Sequence, residues 1–247
     1  SNLARRLLRP FVRPVLRSLD AHLDAKLAPL VAQSQALAHR LEFVRKEVLL
    51  ELRYERAGAN QPAVIEPSLL HPERLEAMAG DIRLNLGAGH LPHPGYLNVD
   101  TRPLDGIDLV ADVRALPFDE DSLAEVYSAH VLEHFPVEEL RRVLLPYWVS
   151  LLRPGGSFVA VVPDLDTMIL EYSAGRLPFE ELREVLYGSQ EYEGDFHHNG
   201  FTQNSICALF EQAGLTGVEI RTFGRRNGMC FEMEIAGVRG DRSDGHT

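Results

Sequence analysis

From Ile82 onward, short strand-like apolar runs alternate with amphipathic stretches of helical period, and this rhythm most constrains the fold. IRLNL, YLNVD, DLVAD and AEVYSAH precede VEELRRVLLPYWVSLL, SFVAVVPD precedes SICALFEQAG, and GVEIRTF and CFEMEIAGV close the series. Strands that alternate with helices build βαβ units and hence a parallel sheet. GRRNGM, with Arg225 and Arg226 ahead of Asn-Gly, reads as a hairpin turn between the last two runs. The expected fold is α/β: a doubly wound, mostly parallel seven-stranded sheet that ends in an antiparallel hairpin, behind an N-terminal helical, coiled-coil-like extension.

That extension differs in charge from the rest. Residues 1–57 hold 11 Arg and Lys against 6 Asp and Glu, whereas the remainder holds 14 against 30, within a formal total of -11. Leu23, Leu27, Leu30, Ser34, Leu37, Leu41, Val44 and Val48 follow steps of four and three, a heptad seam with one polar position. Pro29 is tolerated in a first helical turn, so the long helix is expected from near Pro29 to about Tyr54. The seam fits self-association into a homo-oligomer, or equally packing on the protein's own core. Upstream, ARRLLRPFVRPVLRSL carries five arginines among apolar residues, which suits peripheral contact with an anionic membrane or a solvated arm.

The expected organisation is a basic arm and amphipathic helix over 1–57, a linker over 58–80, a globular domain over 81–240 and a tail over 241–247. GANQPAVIEPSLL, residues 58–70, carries Gly, Asn and two prolines without periodicity and marks the linker. At 247 residues and 45% hydrophobic content the chain can bury a sizeable core. No apolar run spans a bilayer, and the N-terminus lacks a signal peptide's pattern, so the expected location is cytoplasmic, with the inner membrane face as the place for the basic arm. Cys207 and Cys230 are too far apart for a C-x-x-C motif and read as reduced, packing residues. An acidic domain is a poor partner for phosphate backbones, which excludes nucleic acid as the main partner.

Ligands of open α/β sheets sit beyond the carboxyl ends of the strands. The first strand here breaks into Gly87-Ala88-Gly89, which lets a ligand approach the backbone. Asp100 ends the second and can accept from ribose hydroxyls. Asp112 ends the third, where its carboxylate can accept from an adenine amine while the Val113 N–H donates to the ring. Ser128, Ala129 and His130 end the fourth and offer backbone carbonyls to an ammonium group. Each aspartate equally suits a cap or turn, and their order is what favours a binding role. A dinucleotide fingerprint is excluded because Pro92 stands at its third glycine position, and no G-x-x-x-x-G-K-[ST] occurs. The pattern therefore fits a ligand with ribose and adenine and no phosphate.

LNLGAG, NVD, DVRALPFDEDSLAEVYSAHVLEHF and LLRPGGSFVAVVPDLD, in that order, resemble the successive motifs of class I S-adenosylmethionine-dependent methyltransferases. They are most similar to a bacterial branch associated with cell-surface polysaccharide genes. The resemblance covers about Ile82 to Val238 and leaves out the arm. It implies S-adenosylmethionine as cofactor, with adenine by Asp112 and Val113, ribose on Asp100, and the methionine end over Gly87 and Gly89 with its amine near His130. It also implies a sugar or glycan acceptor, methylated on oxygen. Two departures stand out: Asn85 where many relatives carry an acidic residue, and a short Gly89–Tyr96 connection with little room for a full first helix.

A sugar hydroxyl benefits from a positioned general base, for which histidine is well suited. His134 in HVLEHF, Asp164 in VPDLD, and His197 and His198 in GDFHHNGFT are the candidates. His134 also fits as a residue that fixes the following helix, and Asp164 as the cap of DTMILEY. No metal site is expected, because adjacent histidines point apart and no ligand spacing is diagnostic. The alternatives are a lipid-linked or small-molecule acceptor, or a non-catalytic cofactor-binding domain on an oligomerisation arm. A nicotinamide oxidoreductase ranks below these.

Overall fold

The computed structural model describes residues 65–190 and 195–240, together with residues 23, 25–31, 33, 34, 37 and 41 of the arm. The chain divides into two units, Ser1–Ala63 and Val64–Thr247. In the first unit every described residue is helical and exposed, and helix is already present at Leu23 and at 25–28, ahead of Pro29. The helix's expected run to Tyr54, the basic stretch and the tail lie outside the described residues.

The second unit is built on one sheet. Its elements are β1 (Ser68–Leu69), α1 (Pro72–Ala77), β2 (Ile82–Leu86), β3 (Leu97–Asp100), β4 (Leu109–Val110) and β5 (Leu123–Ala129). A 3-10 turn (Leu132–His134) leads into α2 (Val137–Glu139), a π-helical stretch (Leu140–Leu144) and α3 (Leu145–Leu151). There follow β6 (Leu152–Pro163), α4 (Leu165–Ser173), α5 (Phe179–Tyr187), α6 (Gln203–Gln212), β7 (Leu215–Asn227) and β8 (Cys230–Arg239).

The strand order is β1-β4-β3-β2-β5-β6-β8-β7. β2 pairs in parallel with both β3 and β5, β4 extends one side and β6 the other, all parallel. β8 then inserts antiparallel between β6 and β7, which gives the expected terminal hairpin. The sheet has eight strands and not seven. The additional one, β1, pairs antiparallel with β4 and comes from residues assigned to the linker. Two residues are too short a run to show alternation. What holds β1 at the edge is remote in sequence: Leu70 N–H donates to Asp108 O at 2.7 Å, and Arg74, on α1, lies 3.4 Å from the Asp108 carboxylate.

The parallel strands read as continuous apolar runs because they are buried. All four residues of β3 are buried, including Asn98 and Asp100, so both polar side chains must find partners inside. Asn98 N–H donates to Asp108 Oδ2 at 2.8 Å, and the Asn98 amide oxygen accepts from Asn85 Nδ2 at 2.9 Å. The helical stretch after β5 is irregular where it meets a proline. Pro146 has no N–H to give to the preceding turn, and just ahead of it the ladder slips to the wider π spacing, with Leu145 N–H reaching Leu140 O. Trp148 and Phe158 meet edge to face at 6.0 Å between ring centres, and Phe158 stacks on Phe210 at 5.2 Å, which ties α3, β6 and α6 into one core.

Candidate functional site

The strand order reverses at β2, whose neighbours β3 and β5 lead to opposite halves of the sheet. Crevices form at such a switch point. A cavity of about 840 Å³ opens there, lined by Asn85, Gly87–Pro94, Asp100, Val113, Ala129–Val131 and His134, among others. Its floor depends on two glycines. Gly87 has φ +62, and a Cβ there would stand 2.6 Å from Val131 Cγ2. Gly89 has φ +52, and a Cβ there would meet nothing nearer than Gly87 O at 4.0 Å, so its missing side chain is open cavity. The β2–β3 connection contains no helix, as its length implied.

Asp100 is buried at the end of β3 and holds this floor in place. Its Oδ2 accepts from Gly89 N–H at 3.0 Å, and its Oδ1 accepts from the N–H and Nε of Arg102 at 3.0 and 3.1 Å. A carboxylate has about four acceptor directions. One remains on Oδ2, and the direction filled by the half-exposed Arg102 side chain is the one a second hydroxyl could take. Asp112 lies two residues beyond β4 and accepts from Arg114 N–H at 2.9 Å. It stands outside the lining, whereas Val113 is within it. Trp148 Nε1 donates to Val113 O at 2.8 Å and fixes that peptide from the core. Ser128 is fully buried behind the cavity, and Ala129 and His130 face it.

His130 has a second role that its sequence position does not announce. It sits at φ 53, an uncommon conformation for a residue with a Cβ, at the carboxyl end of β5. Its Nδ1 lies 3.2 Å from Glu133 Oε1 and its Nε2 lies 3.0 Å from Glu232 Oε2. Burial alone pulls the imidazole's pKa down, but the hydrogen bonds and charges of the two carboxylates outweigh it and raise it to about 9. Glu232 in turn accepts from Arg225 Nε at 2.6 Å and Asn227 Nδ2 at 3.0 Å. Burial tends to raise the Glu232 pKa, but these donors and His130 hold it below the ordinary carboxylate value. Arg225, Asn227 and Glu232 all line the cavity.

Of the four candidate bases, the fold brings two together. The loop at 195–200 folds onto the 3-10 turn, where His198 and Asn199 N–H both donate to Glu133 O at 2.8 and 3.2 Å. This lays His197 edge to face on His134, with 4.8 Å between ring centres. Their Nδ1 atoms point to carbonyls, His134 to Phe196 O at 3.3 Å and His197 to Val185 O at 2.6 Å. A carbonyl only accepts, so both Nδ1 atoms carry a proton, and in the neutral ring this leaves Nε2 as the acceptor. Burial lowers the His134 pKa, which favours the neutral ring. His198 is exposed beside a smaller hollow of about 330 Å³ that His197 also lines.

Asp164 is committed elsewhere. It is fully buried, caps α4 by accepting from Thr167 N–H at 3.1 Å, and accepts from Thr167 Oγ1 at 2.7 Å and Gly224 N–H at 2.9 Å. The two cysteines are free, and burial pushes the Cys230 thiol up to about 12 and raises Cys207 as well, which keeps both inert as thiols.

A glycine floor at the switch point, a carboxylate on the next strand and an antiparallel final hairpin define a mostly parallel α/β sheet with a small-molecule cavity at its switch point. No family model matches the chain, and no curated protein sequence matches it. Among solved structures, a SAM-dependent methyltransferase from Methanosarcina mazei aligns at 15% identity and a TM-score of 0.47, over 70% of this chain and 99% of that one. One from Archaeoglobus fulgidus aligns at 14% and 0.45, over 68% and 91%. A putative O-methyltransferase from Nostoc punctiforme aligns at 15% and 0.45, over 68% of this chain and 56% of its own. At this distance the site has to be read from this chain's own residues.

Proposed function

We propose that this chain is an S-adenosylmethionine-dependent methyltransferase that methylates a hydroxyl of a sugar or glycan in cell-surface polysaccharide biosynthesis. The observation that carries the cofactor reading is the cradle at the switch point, where Gly89 N–H is bound to Asp100 and the Gly89 Cβ position is open cavity. A cavity of about 840 Å³ matches the usual range for a small-molecule site. His130 and Arg225 balance Glu133 and Glu232 around it, so an amino-acid end that carries both charges meets no net field. When bound, the cofactor supplies a methyl group on a sulfonium. The chain's own part is to hold that group and the acceptor in line, which accounts for much of the acceleration in such displacements, and to take the hydroxyl proton. His134 and His197, with Nε2 as acceptors, are the groups for the proton. The sugar acceptor rests on the motif resemblance alone.

Isothermal titration with S-adenosylmethionine tests the cofactor reading. Asp100→Ala is expected to weaken binding about ten- to a hundredfold, because a hydrogen bond to a charged group contributes about 1.5–3 kcal/mol. If the wild-type chain binds no S-adenosylmethionine, or Asp100→Ala binds as well as wild type, the proposed cradle is wrong. Binding without any product across sugar acceptors would favour the non-catalytic reading.

The arm belongs to the same proposal as a homo-oligomerisation element that lets its basic stretch touch an anionic membrane surface. Leu23, Leu27, Leu30, Leu37 and Leu41 are all helical and all exposed, which supports a seam open to a partner. Among the described residues no helix is long and apolar enough to cross a membrane. Removal of residues 1–57 leaves every strand of the sheet, since β1 begins at Ser68. The truncated chain is expected to sediment as a folded monomer and the full chain as an oligomer. Leu37→Asp with Leu41→Asp is expected to dissociate the oligomer by placing carboxylates in the seam. A full-length monomer would exclude the arm as an oligomerisation element.

A further inference from the structure

We propose that Glu133, His134 and His197 form a binding site for one divalent first-row transition metal of the zinc type, with an open coordination position between the large cavity and the neighbouring hollow. One donor atom from each residue lies within 4.8 Å of the others. Tetrahedral bonds of about 2.0 Å set donors about 3.3 Å apart, so the ion draws the three together by a small closure of the 195–200 loop onto the 3-10 turn.

Two features besides these distances point to an ion. Glu133 is fully buried, and its Oε2 has no hydrogen-bond partner while its Oε1 faces His130. A buried carboxylate oxygen without a partner is costly, and a cation satisfies it. Both histidines present the tautomer a metal needs, with Nδ1–H on the backbone carbonyls of Phe196 and Val185 and Nε2 left as a lone pair. Metal-ligating histidines are oriented by such outer bonds, and ligating carboxylates are hydrogen-bonded in turn, as Glu133 is to His130. Two imidazoles and a carboxylate suit zinc and its first-row neighbours better than calcium or magnesium, which prefer oxygen. Three protein ligands with a fourth position open is the arrangement of catalytic and not of structural zinc sites. His134 lines the large cavity and His197 the hollow, so that open position faces the place where an acceptor could sit. With the ion bound, the two Nε2 lone pairs are ligands and take no proton, and the ion acts in their place by polarising the acceptor oxygen; that use rests on the methyl-transfer reading, whereas binding of the ion does not.

Cobalt(II) is the probe, because its visible ligand-field bands report coordination without any activity assay. The full chain, free of affinity tag and stripped with chelator, is titrated with cobalt(II) in the absence of S-adenosylmethionine. One equivalent is expected to bind with bands of a four- or five-coordinate ion. His134→Ala with His197→Ala is expected to abolish those bands and weaken binding at least about tenfold to a hundredfold, while His198→Ala leaves both unchanged. Glu133 is buried, so Glu133→Gln is read only if its circular dichroism and melting match wild type; His197→Gln, at a half-buried position, is the variant that keeps the test open. Wild type and the double histidine variant binding cobalt(II) alike, or wild type showing no such bands, would overturn the site. Titration of the same proteins with S-adenosylmethionine keeps the two readings apart: cobalt(II) bound and S-adenosylmethionine refused removes the methyltransferase reading and leaves the metal site standing.

Discussion

Trp148→Ala is expected to destabilise the sheet-bearing unit by about 3–5 kcal/mol, the usual cost of truncating a large buried aromatic side chain. Trp148 is fully buried, contacts the rings of Phe135 and Phe158, and donates its indole N–H to Val113 O at 2.8 Å. The substitution opens a cavity beneath α3 and leaves a carbonyl beside the site without its donor. For a unit of this size each kcal/mol lowers Tm by about 2–4 °C, so thermal or urea denaturation reads the effect directly. Leu91→Ser is the control, since Leu91 is 85% exposed and its loss should stay within about 0.5 kcal/mol. A cost below about 1 kcal/mol for Trp148→Ala would mean that this aromatic cluster does not hold the core together. Because Val113 lines the cavity, residual folded Trp148→Ala protein is also expected to bind cofactor more weakly than wild type.

In chelator-stripped protein, where both Nε2 atoms are free of metal, His197→Ala and His134→Ala are each expected to lower turnover about 10²-fold with S-adenosylmethionine affinity nearly intact, the lower end of what removal of a general base costs. Neither residue belongs to the Gly87–Asp100 cradle, and the contact between their rings makes them a unit. The double variant is therefore expected to be little slower than either single one, as groups that act together are not additive. The readout is S-adenosylhomocysteine formed with the sugar acceptor that supports turnover. Asp164→Asn provides the contrast. Asp164 caps α4 and ties β7 to it, so its replacement is expected to lower stability and spare the rate of the folded fraction. Full turnover in the two histidine variants would move the proton to another acceptor and strip the pair of its role.

The arrangement around His130 shows why part of the site escaped the sequence. Glu133 is the residue between two histidines in HVLEHF, and the i to i+3 spacing already puts its carboxylate on the His130 side of a tight turn. That proximity was available from the spacing. Glu232 is one of two carboxylates in the CFEMEIAGV run and carries no local signal of a role, and Arg225 and Asn227 read as turn residues. They face the site because β7 and β8 pair in a register that sets Arg225 opposite Glu232, and because β8 inserts beside β6. Register and strand insertion depend on contacts among distant segments, which no local pattern encodes.

Local pattern alone predicts the alternation of strands and helices, the glycine break after Leu86, the carboxylate that ends the next strand and the terminal hairpin. Each follows from short-range physics: hydrophobic period, the positive φ that glycine allows, and the turn chemistry of Asn-Gly. Long-range contacts are what bring Ser68–Leu69 into the sheet, commit Asp164 as a cap, and set His197 and not His198 against His134. In each case the deciding bonds span long loops: Leu70 to Asp108, Gly224 to Asp164, and His198 and Asn199 to Glu133. A backbone N–H placed on one distant carbonyl selects which of two adjacent histidines turns inward, because neighbouring side chains on an extended segment point to opposite sides.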